Sequence, residues 1–226
     1  MIEGNTIVRK DHVLPTEIVY KPNYDSKEKQ RIRDGILKYI PDGGSVVTMP
    51  AEQGLCVKTF LSKTPNITTI ERDPETFLKY AGLGYNTKNF LGTAEQFFLL
   101  NDNKIDLFYF DSVGYVCQSH LDVLDLINKR RQAKTIAYTC MDINDFRSQG
   151  AKLMRERFKD TDDAITSVMN NYEVVEVFRY KMENKKNRRG MRVYILKLKR
   201  EDRSNEVYGR QEQDFEGFSI NLKFNF

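Results

Sequence analysis

The stretch YEVVEVFRYKMENKKNRRGMRVYILKLKR, Tyr172 to Arg200, decides the fold. Two apolar runs, YEVVEVFRYKM and MRVYILKLKR, flank the polar turn ENKKNRRG with no helix between them, so they read as an antiparallel pair. Within the second run RVYILKL is apolar on both faces, which places it inside a sheet and not at an edge.

Upstream the pattern is different. SVVTM (Ser45–Met49), NITTIE (Asn66–Glu71), KNFL (Lys88–Leu91), KIDLFYFD (Lys104–Asp111) and AKTIAYTCM (Ala133–Met141) read as short strands. Helical stretches separate them: DPETFLKYAGL after the second, TAEQFFLL after the third, CQSHLDVLDLINKRR after the fourth. A further helix, DSKEKQRIRDGILKYI, precedes the first strand, with Ile32, Ile36, Leu37 and Ile40 on one side and Asp25 or Ser26 as its cap. Strands alternating with helices of this length form a parallel sheet covered on both faces. DFRSQGAKLMRERFKDTDDAITSVMNN, from Asp145, reads as one long helical region leading into the hairpin.

The 226 residues suit one domain with extensions, and 40% hydrophobic with 30% charged residues is ordinary globular composition. No apolar run is long enough to span a bilayer, and MIEGNTIVRKDHV lacks the apolar stretch of a secretory signal, so no membrane partner and a cytoplasmic location are expected. Cys56, Cys117 and Cys140 are odd in number and far apart, which reads as reduced core thiols. With only His12 and His120, no metal site is expected. The net charge is only +4, but ten Lys or Arg residues and a single acid, Glu183, lie between Arg179 and Arg200. Such clustering points to an anionic partner, RNA or DNA, with Lys185, Lys186, Arg188 and Arg189 on its phosphates. AKLMRERFK adds Lys152, Arg155, Arg157 and Lys159.

Five parallel strands closed by an antiparallel hairpin resemble the seven-stranded, Rossmann-like sheet of the class I S-adenosylmethionine-dependent methyltransferases, over roughly Asp25 to Arg200. The resemblance implies S-adenosylmethionine as cofactor, held at the carboxyl ends of the strands. In place of the family's E/D-x-G-x-G-x-G loop this chain has Thr48-x-Pro50-x-Glu52-x-Gly54, with one glycine of three and no leading acid. On this resemblance Glu52 would supply a carboxylate nearby for the ligand's ammonium group. Glu71, 17 residues beyond Gly54 at the end of the second strand, takes the position of the acid that accepts from both ribose hydroxyls. Thr93 stands where the family often has an acid near the adenine. Asp111 and Tyr115, in IDLFYFDSVGY, resemble the D/N-P-P-Y/F segment of amino-methylating members without its prolines. By that likeness Asp111 orients the target amine or takes its proton, and Tyr115 stacks on the base.

The resemblance implies methyl transfer to a nucleic-acid base, with an exocyclic amine favoured. A catalytically inactive binding module on the same fold is the alternative, favoured by the missing glycines. A nicotinamide-dependent oxidoreductase lacks its fingerprint. Residues 1–24 read as an arm, 25–200 as the methyltransferase-like domain and 201–217 as a polar linker. The last segment, FSINLKFNF at 218–226, alternates apolar and polar residues like a half-buried strand. It must pair with a sheet edge, with another copy of the chain, with a partner, or with the N-terminal TEIVY in a small side sheet, and fold-back or self-association is favoured over a foreign partner.

Overall fold

The computed structural model describes residues 26–145, 148–181 and 190–200. The arm, the linker, the C-terminal segment and the turn bearing Lys185, Lys186, Arg188 and Arg189 lie outside the described residues.

Helix α1 (Lys27–Leu37) starts where the Ser26 side chain accepts from the Lys29 amide at 3.2 Å. It is followed by β1 (Val46–Thr48), α2 (Leu55–Phe60), β2 (Ile67–Glu71), α3 (Pro74–Ala81), β3 (Lys88–Leu91), α4 (Ala94–Leu100), β4 (Ile105–Tyr115), α5 (Gln118–Arg130) and β5 (Ala133–Met141). Then come α6 (Gln149–Arg157), α7 (Thr161–Val168), β6 (Tyr172–Lys181) and β7 (Gly190–Leu198). The strands form one seven-stranded sheet in the order β3-β2-β1-β4-β5-β7-β6. Neighbours from β3 through to β5 pair parallel, whereas β7 is antiparallel to both β5 and β6. The doubly apolar run is therefore the interior strand β7, with Tyr194, Ile195 and Leu196 all buried.

Two apolar layers sandwich the sheet. On one face α4, α5, α6 and α7 close over Val47, Phe108, Phe110, Tyr138 and Tyr194. There Phe97, Phe98 and Phe108 meet edge to face at centroid distances of 5.3 and 4.8 Å, pairings worth about 0.5–1.5 kcal/mol each beyond their burial. On the other face α1 and α2, with Tyr80 of α3, cover Val46, Leu107, Tyr109, Tyr180 and Ile195. Helix α1 reaches the far edge of the sheet: a Cβ on Gly35 would lie 2.8 Å from the Phe178 ring of β6, so only glycine allows that approach.

The expected single helical region after β5 is two helices. Phe158 is extended, and the Asp160 carboxylate accepts from the Asp163 amide at 2.9 Å, so a new helix is capped three residues after the first ends. Arg192 of β7 then ties the segment down, pairing with Asp142 and, at 3.3 Å, with Asp162. Strand β4 runs four residues beyond its expected end at Asp111. Four residue steps from Asp111 to Tyr115 oppose two on β5, from Thr139 to Met141. Such a bulge reorients the side chains that follow it.

Candidate cofactor and substrate site

The strand order reverses between β1 and β4, and in open α/β sheets ligands bind outside the carboxyl ends of the strands at that reversal. A cleft lies there, walled by Lys29 and Arg33 of α1, by Met49, Pro50, Ala51 and Gln53 of the β1–α2 loop, by Leu55 at the head of α2, and by Tyr109, Asp111 and Tyr180. Asp111 is half-buried on its floor. Burial pushes its carboxyl pKa up, opposed chiefly by the charge of Lys29, then by Thr139, Tyr109 and Arg33. Thr139 faces Asp111 across the β4–β5 ladder, and its hydroxyl oxygen is buried without a hydrogen bond of normal geometry among the described residues. Arg33 is only 6% exposed and is steadied by Gln30 Oε1, which accepts from Nη2 at 2.8 Å. The two cations are complementary to the carboxylate of an amino-acid end, and the carboxylate opposite them is complementary to an amine.

The β1–α2 loop turns by another route than three glycines. Ala51 and Gly54 both take left-handed conformations, at φ of 51° and 58°. Gly54 heads α2, and a Cβ there would stand 2.9 Å from both the Tyr80 and the Tyr85 rings. Its bareness serves the packing of α3 against α2. Ala51 carries a Cβ in a conformation that costs L-residues roughly 1–2 kcal/mol. Ala51→Gly therefore raises stability by about 0.5–1 kcal/mol in urea denaturation, since most of that strain is released.

The remaining loop positions are spread apart. Thr48 is fully buried, with Oγ1 3.5 Å from Cys56 Sγ, so it faces α2. Pro50 is buried and lines the cleft. Glu52 is exposed and reaches Lys79 of α3 at 3.6 Å, away from Asp111. Glu71 ends β2, where its Oε1 accepts from the Asp73 amide at 2.9 Å. Asp73 itself caps α3, accepting from Thr76 N at 2.7 Å, so the capping duty falls on Asp73 and not on Glu71. Thr93 is occupied in a capping box: its hydroxyl accepts from Gln96 N, and Gln96 Oε1 accepts from Thr93 N.

Asp111 and Tyr115 are not brought together on one face. Tyr115 packs against the core beneath α5, α6 and α7, where a Cβ on Gly150 would overlap its hydroxyl. Asp111 stays on the α1 side with Tyr109 and Tyr180. The sequence reading missed Lys29, Arg33 and Tyr180 as cleft residues. Arg33 carried a signal, being a charge beside Ile32 on the apolar stripe of its helix.

The three thiols are not equivalent. Cys56 and Cys140 are buried, and burial pushes the Cys56 pKa up to about 11. Cys117 is half-exposed ahead of α5. Burial raises its pKa, but His120 and the Ser119 hydroxyl at 3.2 Å outweigh that and bring it down to about 7. His120 is itself held by the Tyr138 hydroxyl, 2.9 Å from Nδ1. In the folded protein a maleimide at pH 7 is expected to label Cys117 alone, and His120→Phe to slow that labelling about tenfold by raising the thiol pKa.

No family model matches the chain, and no curated protein matches its sequence. Solved structures do match. Trm5b from Pyrococcus abyssi shares 14% identity at a TM-score of 0.51, over 77% of this chain and 50% of that one. An rRNA methylase from Streptococcus thermophilus shares 14% identity at 0.52, over 77% and 98% of the two chains. An rRNA methylase from Clostridium thermocellum shares 12% at 0.53, over 77% and 99%. This chain thus spans half the length of the first and nearly all of the other two. At such identities the likeness is one of fold alone: a Rossmann-like, mostly parallel sheet closed by an antiparallel hairpin. Among the described residues no helix is long and apolar enough to cross a membrane, and no three His, Cys, Asp or Glu side chains group as metal ligands.

Proposed function

We propose that this chain transfers a methyl group from S-adenosylmethionine to a nucleic-acid base, with RNA as the substrate and an exocyclic amine as the acceptor. The observation that carries the reading is the half-buried Asp111 carboxylate, set against Lys29 and Arg33 in a cleft at the reversal of strand order. The names of the structurally similar proteins, two of them rRNA methylases, support the choice of RNA.

The residues present fit the cofactor in kind. Lys29 and Arg33 would hold the carboxylate of its amino-acid end, Glu71 the ribose hydroxyls, and the backbone from Met49 to Gly54 the side of the nucleoside. When bound, S-adenosylmethionine supplies a methyl group on a sulfonium. Asp111 orients the target amine and accepts its proton, a task favoured by a carboxyl pKa raised toward the working pH. Tyr180 gives the cleft an aromatic wall on the same side as Asp111, a position Tyr115 does not occupy. The basic run of sequence around Arg188 and Arg189 would contribute phosphate contacts that fix register without reading sequence.

A binding module on the same fold is favoured by three observations. The cleft encloses a cavity of about 50 Å³, against roughly 300–1,000 Å³ for small-molecule sites. Glu52 is engaged by Lys79, and Thr93 is engaged in its cap. Incubation with methyl-labelled S-adenosylmethionine and either total RNA or genomic DNA separates the two readings. Label entering RNA, and absent with Asp111→Asn, supports the enzyme. Cofactor binding without transfer to either nucleic acid overturns it.

A further inference from the structure

We infer that the C-terminal segment FSINLKFNF, residues 218–226, docks on its own chain as an eighth strand along the open edge of β6. Among the described residues the sheet ends at β3 and β6, and the two edges are unlike. Strand β3 has four residues, whereas β6 has ten. Half of the backbone N–H and C=O groups of β6 point away from β7, and no described strand takes them. A long open edge of this kind is an invitation to pairing.

The side chains of β6 point the same way. Val174 and Val177 are 41% and 36% exposed on one face of the strand, and Val175, 42% exposed, is the extra residue where β6 bulges between Val174 and Glu176. Val174 and Val177 oppose Leu196 and Tyr194, so they continue the face that α5 and α7 cover and extend it beyond those helices. Residues 218–226 carry apolar side chains at every second position from Phe218 to Phe226. One added strand would lay that apolar row beside the valines and turn Ser219, Asn221, Lys223 and Asn225 to the other face.

Chain geometry makes the contact local. Leu198, the last residue of β7, opposes Tyr172, the first of β6, so the chain leaves the sheet one strand away from the open edge. Residues 201–217 extend to roughly 50–60 Å, more than the about 33 Å length of a ten-residue strand, so the segment reaches the edge in either direction. Closing so short a loop is cheaper than recruiting a second molecule at ordinary concentrations.

The test is hydrogen exchange on the full chain and on a chain ending at residue 217. The β6 amides that point away from β7 are expected to exchange at least about tenfold faster in the shorter chain, with β1, β4 and β5 unchanged. Val177→Lys in the full chain, which crowds the edge with a charge but keeps every residue, should reproduce the loss. A synthetic 218–226 peptide should restore protection to the shorter chain. Equal β6 exchange in the two chains overturns the inference. So does protection that rises with protein concentration alongside a dimer in light scattering, which would give the edge to a second copy.

Discussion

Asp111→Asn is expected to yield a protein that melts higher than the parent at neutral pH and transfers methyl groups about 10²–10⁴-fold more slowly, the usual worth of a positioned proton acceptor. Both halves follow from one cause. Burial raises the Asp111 pKa in the folded chain, so the native state favours the protonated form more than the unfolded chain does. The sign is then fixed: above that raised pKa the ionised carboxylate weakens the fold, and the penalty fades as pH falls through it. Asparagine removes the penalty, so its advantage in Tm should be largest at neutral pH and shrink in acid. Activity runs the other way. In the proposed function the ionised form is the proton acceptor, so the acid limb of kcat/KM should be displaced upward from that of an ordinary aspartate. A site residue that costs stability is the pattern expected where function, and not folding, dictates the side chain.

Gly54→Ala is expected to lower stability by about 2–4 kcal/mol, summing the left-handed conformation with overpacking against two rings. The added methyl would stand 2.9 Å from both Tyr80 and Tyr85, and Tyr80 is fully buried and bonded at 3.0 Å to Thr87, so it does not swing aside. Spread over a domain of this size the loss corresponds to roughly 5–15 °C in Tm. Glycine is retained in this loop at the position where helices α2 and α3 close on each other. The opposite sign expected for Ala51→Gly, three residues earlier, makes the pair informative: the same loop gains stability from one bare backbone position and loses it when deprived of the other.

Most of the fold was legible because it rests on local periodicity. The hairpin from Tyr172 to Arg200 and the runs KNFL and AKTIAYTCM match their strands residue for residue or nearly so, and for AKTIAYTCM and RVYILKL the reason is burial on both faces, which leaves an almost unbroken apolar run. The break between α6 and α7 escaped notice although Asp160 is an ordinary capping residue, because the apolar spacing resumes in phase after it. The extension of β4 past Asp111 was hidden by Gly114, which reads as a turn and instead sits within the bulge.

The site was less legible, because it is assembled across the chain. Glu71 could be told from Asp73 only by seeing which of them caps α3. Thr48 reads both as part of the first strand and as the start of the cofactor loop, and the parallel register with Thr69 and Tyr109 keeps it in the sheet, where it points to Cys56. Lys29 and Arg33 lie on a helix that any reading treats as cover for the core, and only its crossing over the β1 and β4 ends brings them to Asp111. The faces of Asp111 and Tyr115 depend on two extra residues in one strand, a difference that no periodicity reports.

The central claim is that the carboxyl ends of β1, β2 and β4 bind S-adenosylmethionine, and calorimetric titration tests it most directly. The parent chain is expected to bind S-adenosylmethionine and S-adenosylhomocysteine saturably at one site. Glu71→Ala, with its melting temperature near that of the parent, should weaken both by about 10–100-fold, the worth of one or two hydrogen bonds to a carboxylate. Absence of heat with either ligand, with or without RNA, or equal affinity in the Glu71→Ala variant, would contradict the account.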